Sequence, residues 1–183
     1  MDISNYLTEL ILWNTTHNLV SKNEINNLDE HVDDSFSLCE LIKEKNHHTI
    51  IDIGSGGGFP IIPLGFWIKE EKLPITLIAT DIKEKKLSFL TLCSRKFELD
   101  IKVENLTKKF IFEQECLIIS RAFSSLTNIL IWRDKHAPLA KDFLILKGNT
   151  VEEELKEAQI LEYKLIKNPR GYIVQFTHLP ACK

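Results

Sequence analysis

Four of the seven glycines in this 183-residue chain lie between residues 54 and 58, directly after a short apolar segment. The segment reads Ile50-Ile-Asp-Ile53 and the loop reads Gly54-Ser-Gly-Gly-Gly-Phe-Pro60. A strand that ends in such a loop brings backbone close to a ligand, because glycine adopts positive φ angles and has no Cβ to block an incoming group. The following helix adds unpaired N–H groups and the positive end of its dipole. The pattern therefore predicts a strand, a loop and a helix built around a ligand.

The spacing of these glycines indicates which ligand is bound. A dinucleotide fingerprint needs G-x-G-x-x-G, with its third glycine where the helix packs on the strand. Counted from Gly54 that position is Phe59, and counted from Gly56 it is Ile61, so the fingerprint fails twice. The acid-x-G-x-G-x-G spacing fits the loop with which nucleotide-fold methyltransferases hold the methionine end of S-adenosylmethionine against glycine backbone. The candidate cofactor-binding residues of this segment are Asp52, Gly54, Ser55, Gly56, Gly58 and Phe59.

Asp81 supports the same interpretation. It follows a second apolar segment, Ile75–Thr80, and lies 23 residues after Gly58. This is close to the spacing at which an acid at the end of the second strand accepts hydrogen bonds from a ribose diol. The alternative is that Asp52 and Asp81 are ordinary strand-end or helix-capping acids and that the glycines form a tight turn. Two signals at the right separation favour the cofactor site.

Length and composition exclude several classes of protein. The chain is long enough for one domain with a sizeable core, but too short for a two-domain dehydrogenase. Its four cysteines include no C-x-x-C pair, so neither a zinc site nor a disulfide framework is expected, and free thiols indicate a reducing cytosol. The start of the chain lacks the features of a signal peptide, and no apolar run is long enough to span a membrane. We expect a soluble, cytoplasmic protein without a metal.

The charge is unevenly distributed along the chain. The net charge of −3 argues weakly against a nucleic-acid partner, but residues 1–50 hold nine acidic side chains against three Lys or Arg. Residues 51–183 hold 17 acidic side chains against 20 basic ones. The basic residues of this second part form clusters, each of which is either a solvated surface or a contact for a nucleic-acid partner. The clusters are Lys83, Lys85, Lys86, Arg95 and Lys96, then Lys108 and Lys109, then Arg133, Lys135 and Lys141.

Hydrophobic periodicity predicts two regions. Helices over Tyr6–Leu19 and about Leu28–Lys45 form an N-terminal helical cap at residues 1–48, packed on the sheet. Residues 49–183 then alternate between strands and helices and end on two strands, which predicts an α/β fold of Rossmann-like type, with a mostly parallel seven-stranded sheet and an antiparallel edge pair. After the strand at Ile50–Ile53 the predicted elements are helices at Ile61–Lys69, Lys83–Phe97, Thr127–His136 and Val151–Gln159, and strands at Ile75–Thr80, Ile101–Glu104, Cys116–Ser120, Asp142–Lys147, Leu161–Ile166 and Tyr172–Thr177.

Six short motifs are spread over most of the chain. They are Trp13-Asn14 with Asn18-Leu-Val-Ser21, His31-Val-Asp-Asp-Ser35, Gly54–Pro60 with Pro63-Leu64, Asp81 with Lys85-Lys86 and Phe89-Leu90, Ser120-Arg-Ala-Phe123, and Leu146-Lys-Gly148. Together they resemble the bacterial ribosomal RNA small-subunit methyltransferase G family, also called glucose-inhibited division protein B, which methylates N7 of a guanine in 16S rRNA. The resemblance implies a class I methyltransferase with S-adenosyl-L-methionine as cofactor, and 16S rRNA or an assembling small ribosomal subunit as partner.

The resemblance also implies roles for single residues. Arg121 becomes the candidate catalytic residue and a cofactor contact, and its planar fork suits the O6 edge of guanine, a phosphate or the methionine carboxylate. The family's acidic pair after the third strand is replaced by Thr107-Lys108-Lys109, so Thr107 and Lys108 are expected to contact the cofactor through backbone. The candidate substrate-binding residues are His31, Asp34, Ser35, Lys147 and Arg170.

The loop after the fourth strand bears on the chemistry. It reads Ser120-Arg-Ala-Phe-Ser-Ser-Leu126, which contains neither the [ND]-P-P-[YFW] motif of amino-group methylation nor the cysteine nucleophile of pyrimidine C5 methylation. Guanine N7 has an in-plane lone pair and no proton to lose, so it needs no general base. Two alternatives remain open at this point: a related methyltransferase with another RNA, protein or small-molecule substrate, and a cofactor-binding regulator without turnover.

Overall fold

The computed structural model describes residues 3–107 and 110–179. Lys108, Lys109 and Cys182 lie outside these described residues. The helices are α1 (Ile3–His17), α2 (Lys22–Ile25), α3 (Leu28–Phe36), α4 (Cys39–Lys45), α5 (Ile61–Glu71), α6 (Glu84–Lys96), α7 (Leu126–His136) and α8 (Val151–Glu157). The strands are β1 (Thr49–Ile53), β2 (Thr76–Asp81), β3 (Ile101–Asn105), β4 (Leu117–Arg121), β5 (Asp142–Lys147), β6 (Lys164–Asn168) and β7 (Gly171–Thr177).

The seven strands form one sheet in the order β3-β2-β1-β4-β5-β7-β6. Strands β1 to β5 are parallel, and β7 runs antiparallel to both of its neighbours, β5 and β6. The predicted fold class is confirmed. Because the strand order reverses at β1 and β4, the crevice at the carboxyl ends of these strands is where such sheets bind ligands. Gly54, Asp81, Arg121 and Lys147 all lie at this edge.

Each face of the sheet carries its own hydrophobic core. Side chains alternate along a strand, so Ile118 packs into one core and its neighbour Ile119 into the other. Helices α1, α3, α4, α5 and α6 cover the first face, and α7 and α8 cover the second. Strands buried on both faces read as continuous apolar runs, which explains why these segments were recognisable in the sequence.

The N-terminal helices contribute directly to the first core. Tyr6 and Leu10 of α1 are buried in the same cluster as Ile50 of β1 and Phe59 of the glycine loop. Phe89 is fully buried in this core, and Trp13 and Phe36 pack against it. In packing terms the cap and the sheet form one unit.

Two predicted elements are wrong in detail. The single helix expected over Leu28–Lys45 is divided into α3 and α4, because the Ser37 hydroxyl donates to the Asp34 carbonyl at 2.5 Å and competes with continued helical bonding. The strand expected at Leu161–Ile166 starts later, at Lys164, and leaves the Leu161 side chain 90% exposed. Within residues 3–107 and 110–179, no helix combines the length and apolar character needed to cross a membrane.

Candidate active site at the carboxyl edge of the sheet

The glycine loop after β1 adopts a backbone that only glycine tolerates well. Gly54, Gly56 and Gly58 have φ angles of +74°, +56° and +101°. A Cβ built on Gly56 would have only the Lys86 Nζ and the Gly54 carbonyl oxygen within 4 Å, at 3.5 and 3.6 Å. The space above Gly56 is therefore open to a ligand.

Asp81 ties this loop to β2. Its Oδ2 accepts from the Gly56 N–H at 3.1 Å, and its Oδ1 accepts from the N–H groups of Ile82 and Lys83 at 2.8 and 2.9 Å. Lys86 Nζ lies 3.8 Å from Oδ2. A carboxylate has about four acceptor positions, so three backbone donors leave room for a ligand hydroxyl. Asp81 thus holds the loop and keeps one acceptor position for a ribose hydroxyl.

Asp52, which lies one residue before the end of β1, differs sharply from Asp81, which ends β2. It is fully buried, and neither side-chain oxygen has a hydrogen-bond partner among the described residues. Burial raises the pKa of Asp52 to about 8, and the neighbouring Asp81 adds to the rise. The carboxyl is therefore mostly protonated at neutral pH. Neither Asp52 nor Asp81 is among the residues that line the cavity beside the loop; Asp81 reaches it through its hydrogen bond to the Gly56 N–H, whereas Asp52 makes no side-chain contact of this kind.

A cavity of about 180 Å³, here called the loop cavity, lies against the glycines. One wall is formed by the glycine loop, by α6 and by the end of β4, and the opposite wall is formed by the N-terminal cap. The lining residues are Gly54, Ser55, Gly56, Gly57, Phe59, Lys86, Arg121 and Ala122, with Leu19, Val20 and Glu24 from the cap.

A larger cavity of about 420 Å³, here called the outer cavity, lies beyond Arg121. It is formed by the segments that follow β4 and β5, by β6 and the turn after it, and by the cap. Arg121, Ala122 and Glu24 line both cavities, so they form the wall between them. The outer cavity is lined by Glu24, Asp34, Arg121, Ala122, Phe123, Ser124, Leu146, Lys147, Gly148, Glu154, Asn168 and Arg170.

Arg121 is held in this wall by an ion pair with Asp34. The Arg121 Nε lies 3.2 Å from Asp34 Oδ2, and the side chains are only 12% and 3% exposed. Burial raises the pKa of Asp34 above its ordinary value, and Arg121 and Arg170 oppose the rise. The pairing brings together a predicted substrate residue and the predicted catalytic residue, from segments 87 positions apart.

Lys147 and Arg170, the other predicted substrate-binding residues, also line the outer cavity. Lys147 Nζ donates to the Ser124 carbonyl and to Glu154 Oε2, the latter at 2.7 Å. Arg170 pairs with Glu30 Oε2 at 3.2 Å. A phosphate that bound either cation would therefore compete with a carboxylate.

The structure does not bring His31 and Ser35 into the outer cavity. His31 is 1% exposed, its ring stacks on Phe59 at 5.2 Å between centroids, and neither ring nitrogen has a partner among the described residues. Burial, with Arg121 and Arg170 nearby, lowers the pKa of His31 to about 4, so its imidazole is neutral at pH 7. The fully buried Ser35 hydroxyl donates to the His31 carbonyl at 2.6 Å. Of the three residues of this motif, only Asp34 lines the cavity.

Thr107 occupies an exposed turn after β3. Its N–H and its hydroxyl both donate to Asn105 Oδ1, at 2.8 and 2.7 Å. The backbone donor expected to meet the cofactor is therefore already engaged. The corresponding expectation for Lys108 falls outside the described residues.

Several residues of the site could not be identified from the sequence alone. Phe123 packs so closely on the loop that a Cβ added to Gly54 would lie 2.6 Å from its Cδ2. Glu24 forms a capping box with Ser21, a pattern visible in S-x-x-E, but the pattern does not show that the cap faces a cavity. The missed residues are Tyr6, Leu19, Val20, Glu24, Phe123 and Glu154.

The polar groups of the site suit S-adenosylmethionine. The loop offers glycine backbone next to open space, and Asp81 keeps an acceptor position for a ribose hydroxyl. In the described part of the chain no cluster of three or more His, Cys, Asp or Glu residues is arranged to hold a metal ion.

Comparison with solved structures supports the fold. A methyltransferase from Aquifex aeolicus described as dependent on S-adenosylmethionine is 18% identical, with a TM-score of 0.54 over 86% of this chain and 97% of that one. An O-methyltransferase from Thermotoga maritima, described in the same way, has a TM-score of 0.60 at 13% identity, over 82% of this chain and 66% of that one. These likenesses establish the class I methyltransferase fold.

Sequence comparison identifies the family. The ribosomal RNA small subunit methyltransferase G of Gluconobacter oxydans is 37% identical over 81% of this chain and 75% of its own length. The protein of the same name from Thermoanaerobacter sp. is 32% identical over 97% of this chain and 79% of its own length. The sequence profile described as rRNA small subunit methyltransferase G matches residues 1–172. The chain therefore belongs to the ribosomal RNA small-subunit methyltransferase G family, whose members use S-adenosylmethionine.

Proposed function

We propose that this protein transfers the methyl group of S-adenosylmethionine to N7 of a guanine in 16S rRNA. The cofactor occupies the loop cavity, with its methionine end on the glycine backbone and its ribose at Asp81. The guanine enters through the outer cavity and meets the methyl group near Arg121, where the cavities share a wall.

The observation that carries this proposal is the state of the acids around the outer cavity. Asp34 is paired with Arg121. Glu154 accepts from Lys147 and from the Leu126 N–H. Glu24 accepts from the Ser21 N–H at 3.0 Å. Each described carboxylate that lines the outer cavity is thus engaged through one oxygen, and no described histidine lines it. The buried Asp34 Oδ1 has no partner among the described residues, and it belongs to a carboxyl whose other oxygen is committed to Arg121.

Such a site suits an acceptor that needs no deprotonation. An amino or hydroxyl acceptor must lose a proton as it is methylated, which a positioned base assists. Guanine N7 attacks with its in-plane lone pair and has no proton to lose. The bound cofactor supplies an activated methyl on a sulfonium, so the protein mainly has to hold N7 and that methyl in line.

Arg121 has a positioning role in this proposal. Its Nε is committed to Asp34, which leaves the other guanidinium N–H groups for a ligand. They suit guanine O6, an rRNA phosphate or the methionine carboxylate. Lys83, Lys85 and Lys86, which follow β2 at the same edge, add positive charge for an RNA backbone.

The proposed partner is 16S rRNA, either free or in an assembling small subunit, and the proposed location is the cytoplasm. The three described cysteines, Cys39, Cys93 and Cys116, are buried and unpaired, which is compatible with a reducing compartment.

The test is methyl transfer from tritiated cofactor to purified 16S rRNA and to small subunits, with a protein-only control. N7 methylation makes the guanosine cationic, so borohydride and aniline should cut the labelled 16S rRNA at one site. Label in rRNA that resists this cleavage would identify another acceptor atom. Label in protein alone would favour another substrate, and cofactor binding without transfer would favour a regulator.

A further inference from the structure

The glycine loop is held from two sides. On the sheet side, the Ser55 N–H donates to the Thr80 carbonyl at 2.9 Å and the Gly56 N–H donates to Asp81 at 3.1 Å. On the cap side, the Tyr6 hydroxyl donates to the Gly57 carbonyl at 2.8 Å, across 51 residues of sequence. The sheet-side contacts are made with the end of β2, whereas the contact of Tyr6 comes from the N-terminal cap.

Close packing holds the Tyr6 side chain in the position where its hydroxyl reaches Gly57. The side chain is fully buried, with its ring edge-on to Phe59 at 5.5 Å and 6.3 Å from the ring of Phe89. A buried tyrosine hydroxyl needs a partner, and burial raises the pKa of Tyr6 well above 10, so the group remains a donor at neutral pH.

The cap also presses on Gly57 itself. A Cβ built on this residue would lie 2.7 Å from Val20 Cγ1 and 3.3 Å from Leu10 Cδ1. Val20 is in turn held by its N–H, which donates to Asn14 Oδ1 at 2.9 Å. The missing side chain of Gly57 therefore makes room for the cap, while the positive φ angles of Gly54, Gly56 and Gly58 shape the loop.

We propose that Tyr6 is a positioning residue of the cofactor site, and that the N-terminal cap, through Tyr6 and Val20, fixes the glycine loop in the conformation that binds S-adenosylmethionine. The inference rests on the cofactor assignment of the proposed function. Without the Tyr6 hydroxyl, the buried Gly57 carbonyl loses its partner and the loop gains alternative conformations. The cofactor binds only the loop conformation seen here, so its apparent affinity falls in proportion to the fraction of the protein that has this conformation.

The direct test compares Tyr6→Phe with Tyr163→Phe. Each change removes one hydroxyl, but Tyr163 is 45% exposed and lies outside both cavities. Calorimetry with S-adenosylhomocysteine should give a Kd about tenfold higher for Tyr6→Phe, equivalent to about 1.4 kcal/mol, and an unchanged Kd for Tyr163→Phe. The KM for S-adenosylmethionine should rise with it, while the KM for rRNA stays the same.

A purely structural role for Tyr6 gives a different result. It lowers the melting temperature of Tyr6→Phe but leaves the Kd unchanged at a temperature where the variant is folded, and that outcome overturns the proposal. A parent protein that binds no S-adenosylhomocysteine overturns the cofactor assignment as well, so the two failures are distinguishable.

A second pair of variants decides the question if Tyr6→Phe does not fold. Gly57→Ala places a methyl group against Val20, on the cap side of the loop, and should weaken binding of S-adenosylhomocysteine. Adding Val20→Ala makes room for that methyl and should restore much of the affinity, with Val20→Ala alone as the reference. Parent-like binding by Gly57→Ala, or no recovery in the double variant, contradicts the proposal.

Discussion

The two cavities on either side of Arg121 are built by different means. The loop cavity is shaped by glycine backbone, and hydrogen bonds to Asp81, Thr80 and Tyr6 hold that backbone in place. The outer cavity is lined by charged side chains that neutralise one another, such as Arg121 with Asp34 and Lys147 with Glu154. We therefore expect the loop cavity to be disturbed most by side-chain atoms added to its glycines. The outer cavity should be disturbed most by the removal of charged side chains.

Removal of Arg121 should have the largest effect on stability. Breaking a buried ion pair by deleting one partner costs about 3–5 kcal/mol, because the remaining charge is left buried and unpaired. We expect Arg121→Ala to lose that much free energy of unfolding in urea titrations, and to lose methyl transfer. The exposed Arg95→Ala is the control.

Replacing both Arg121 and Asp34 by leucine should recover most of the stability but none of the activity. If Arg121→Ala is as stable as the parent, the ion pair does not stabilise the fold.

An added side chain at Gly56 should have the largest effect on cofactor binding. The φ of +56° disfavours any L-residue, and valine branches would fill the open space above the loop. Gly56→Val should weaken S-adenosylhomocysteine binding at least about a hundredfold, or about 2.8 kcal/mol, with a native circular dichroism spectrum. Gly148→Ala, where an added Cβ meets nothing within 4 Å, should bind like the parent. If Gly56→Val also binds like the parent, the loop does not hold the ligand.

Removal of the Asp81 carboxylate should weaken cofactor binding by about 1.5–3 kcal/mol, the range for hydrogen bonds to a charged group. Asp81→Asn should fall between Asp81→Ala and the parent in calorimetry. The structure sharpens this expectation, since Asp81 also accepts from Gly56, Ile82 and Lys83. The exposed Asp100→Ala is the matched control. Parent-like affinity in both Asp81 variants would mean that Asp81 only ends a strand.

His31, which touches the loop through Phe59, should make stability depend on pH. Its folded pKa of about 4 lies below the usual 6.5, so the unfolded chain binds more protons between these values. This contribution to stability is present above pH 6.5 and is lost as the pH falls towards 4. The free energy of unfolding should drop by about 1 kcal/mol between pH 7 and 5.5 more in the parent than in His31→Phe. Identical pH profiles would contradict a neutral, buried His31.

Removal of one exposed lysine charge at the carboxyl edge of the sheet should have the smallest effect on methyl transfer to rRNA. If RNA docks there, methyl transfer to rRNA should fall steeply with salt, and Lys85→Gln should reduce the slope by about one unit or less through lost counterion release. Lys164→Gln, at the start of β6 on the opposite edge of the sheet, should leave the slope unchanged. Cofactor affinity should not change in either variant. If Lys85→Gln and Lys164→Gln have equal salt slopes, the RNA does not dock at the carboxyl edge near Lys85.

The two cavities also differ in how far they could be predicted. The glycine loop and Asp81 are local signals, because a short contiguous segment determines each, and the sheet follows from strands buried on both faces. Arg121 was found through its motif, but its pairing with Asp34 joins distant segments and has no local signature. The approach of Tyr6 to Gly57 depends in the same way on tertiary packing. His31 and Ser35 share a motif with Asp34, yet the turn of α3 buries them and leaves only Asp34 in the cavity wall.

The most direct test of the account is a crystal structure of the protein with S-adenosylhomocysteine and a guanosine nucleotide. The account predicts the cofactor product in the loop cavity, with a ribose hydroxyl on Asp81 and its sulfur next to Arg121. The guanine should lie in the outer cavity with N7 facing that sulfur. A cofactor product bound beyond Arg121, among Lys147 and Arg170, would contradict it.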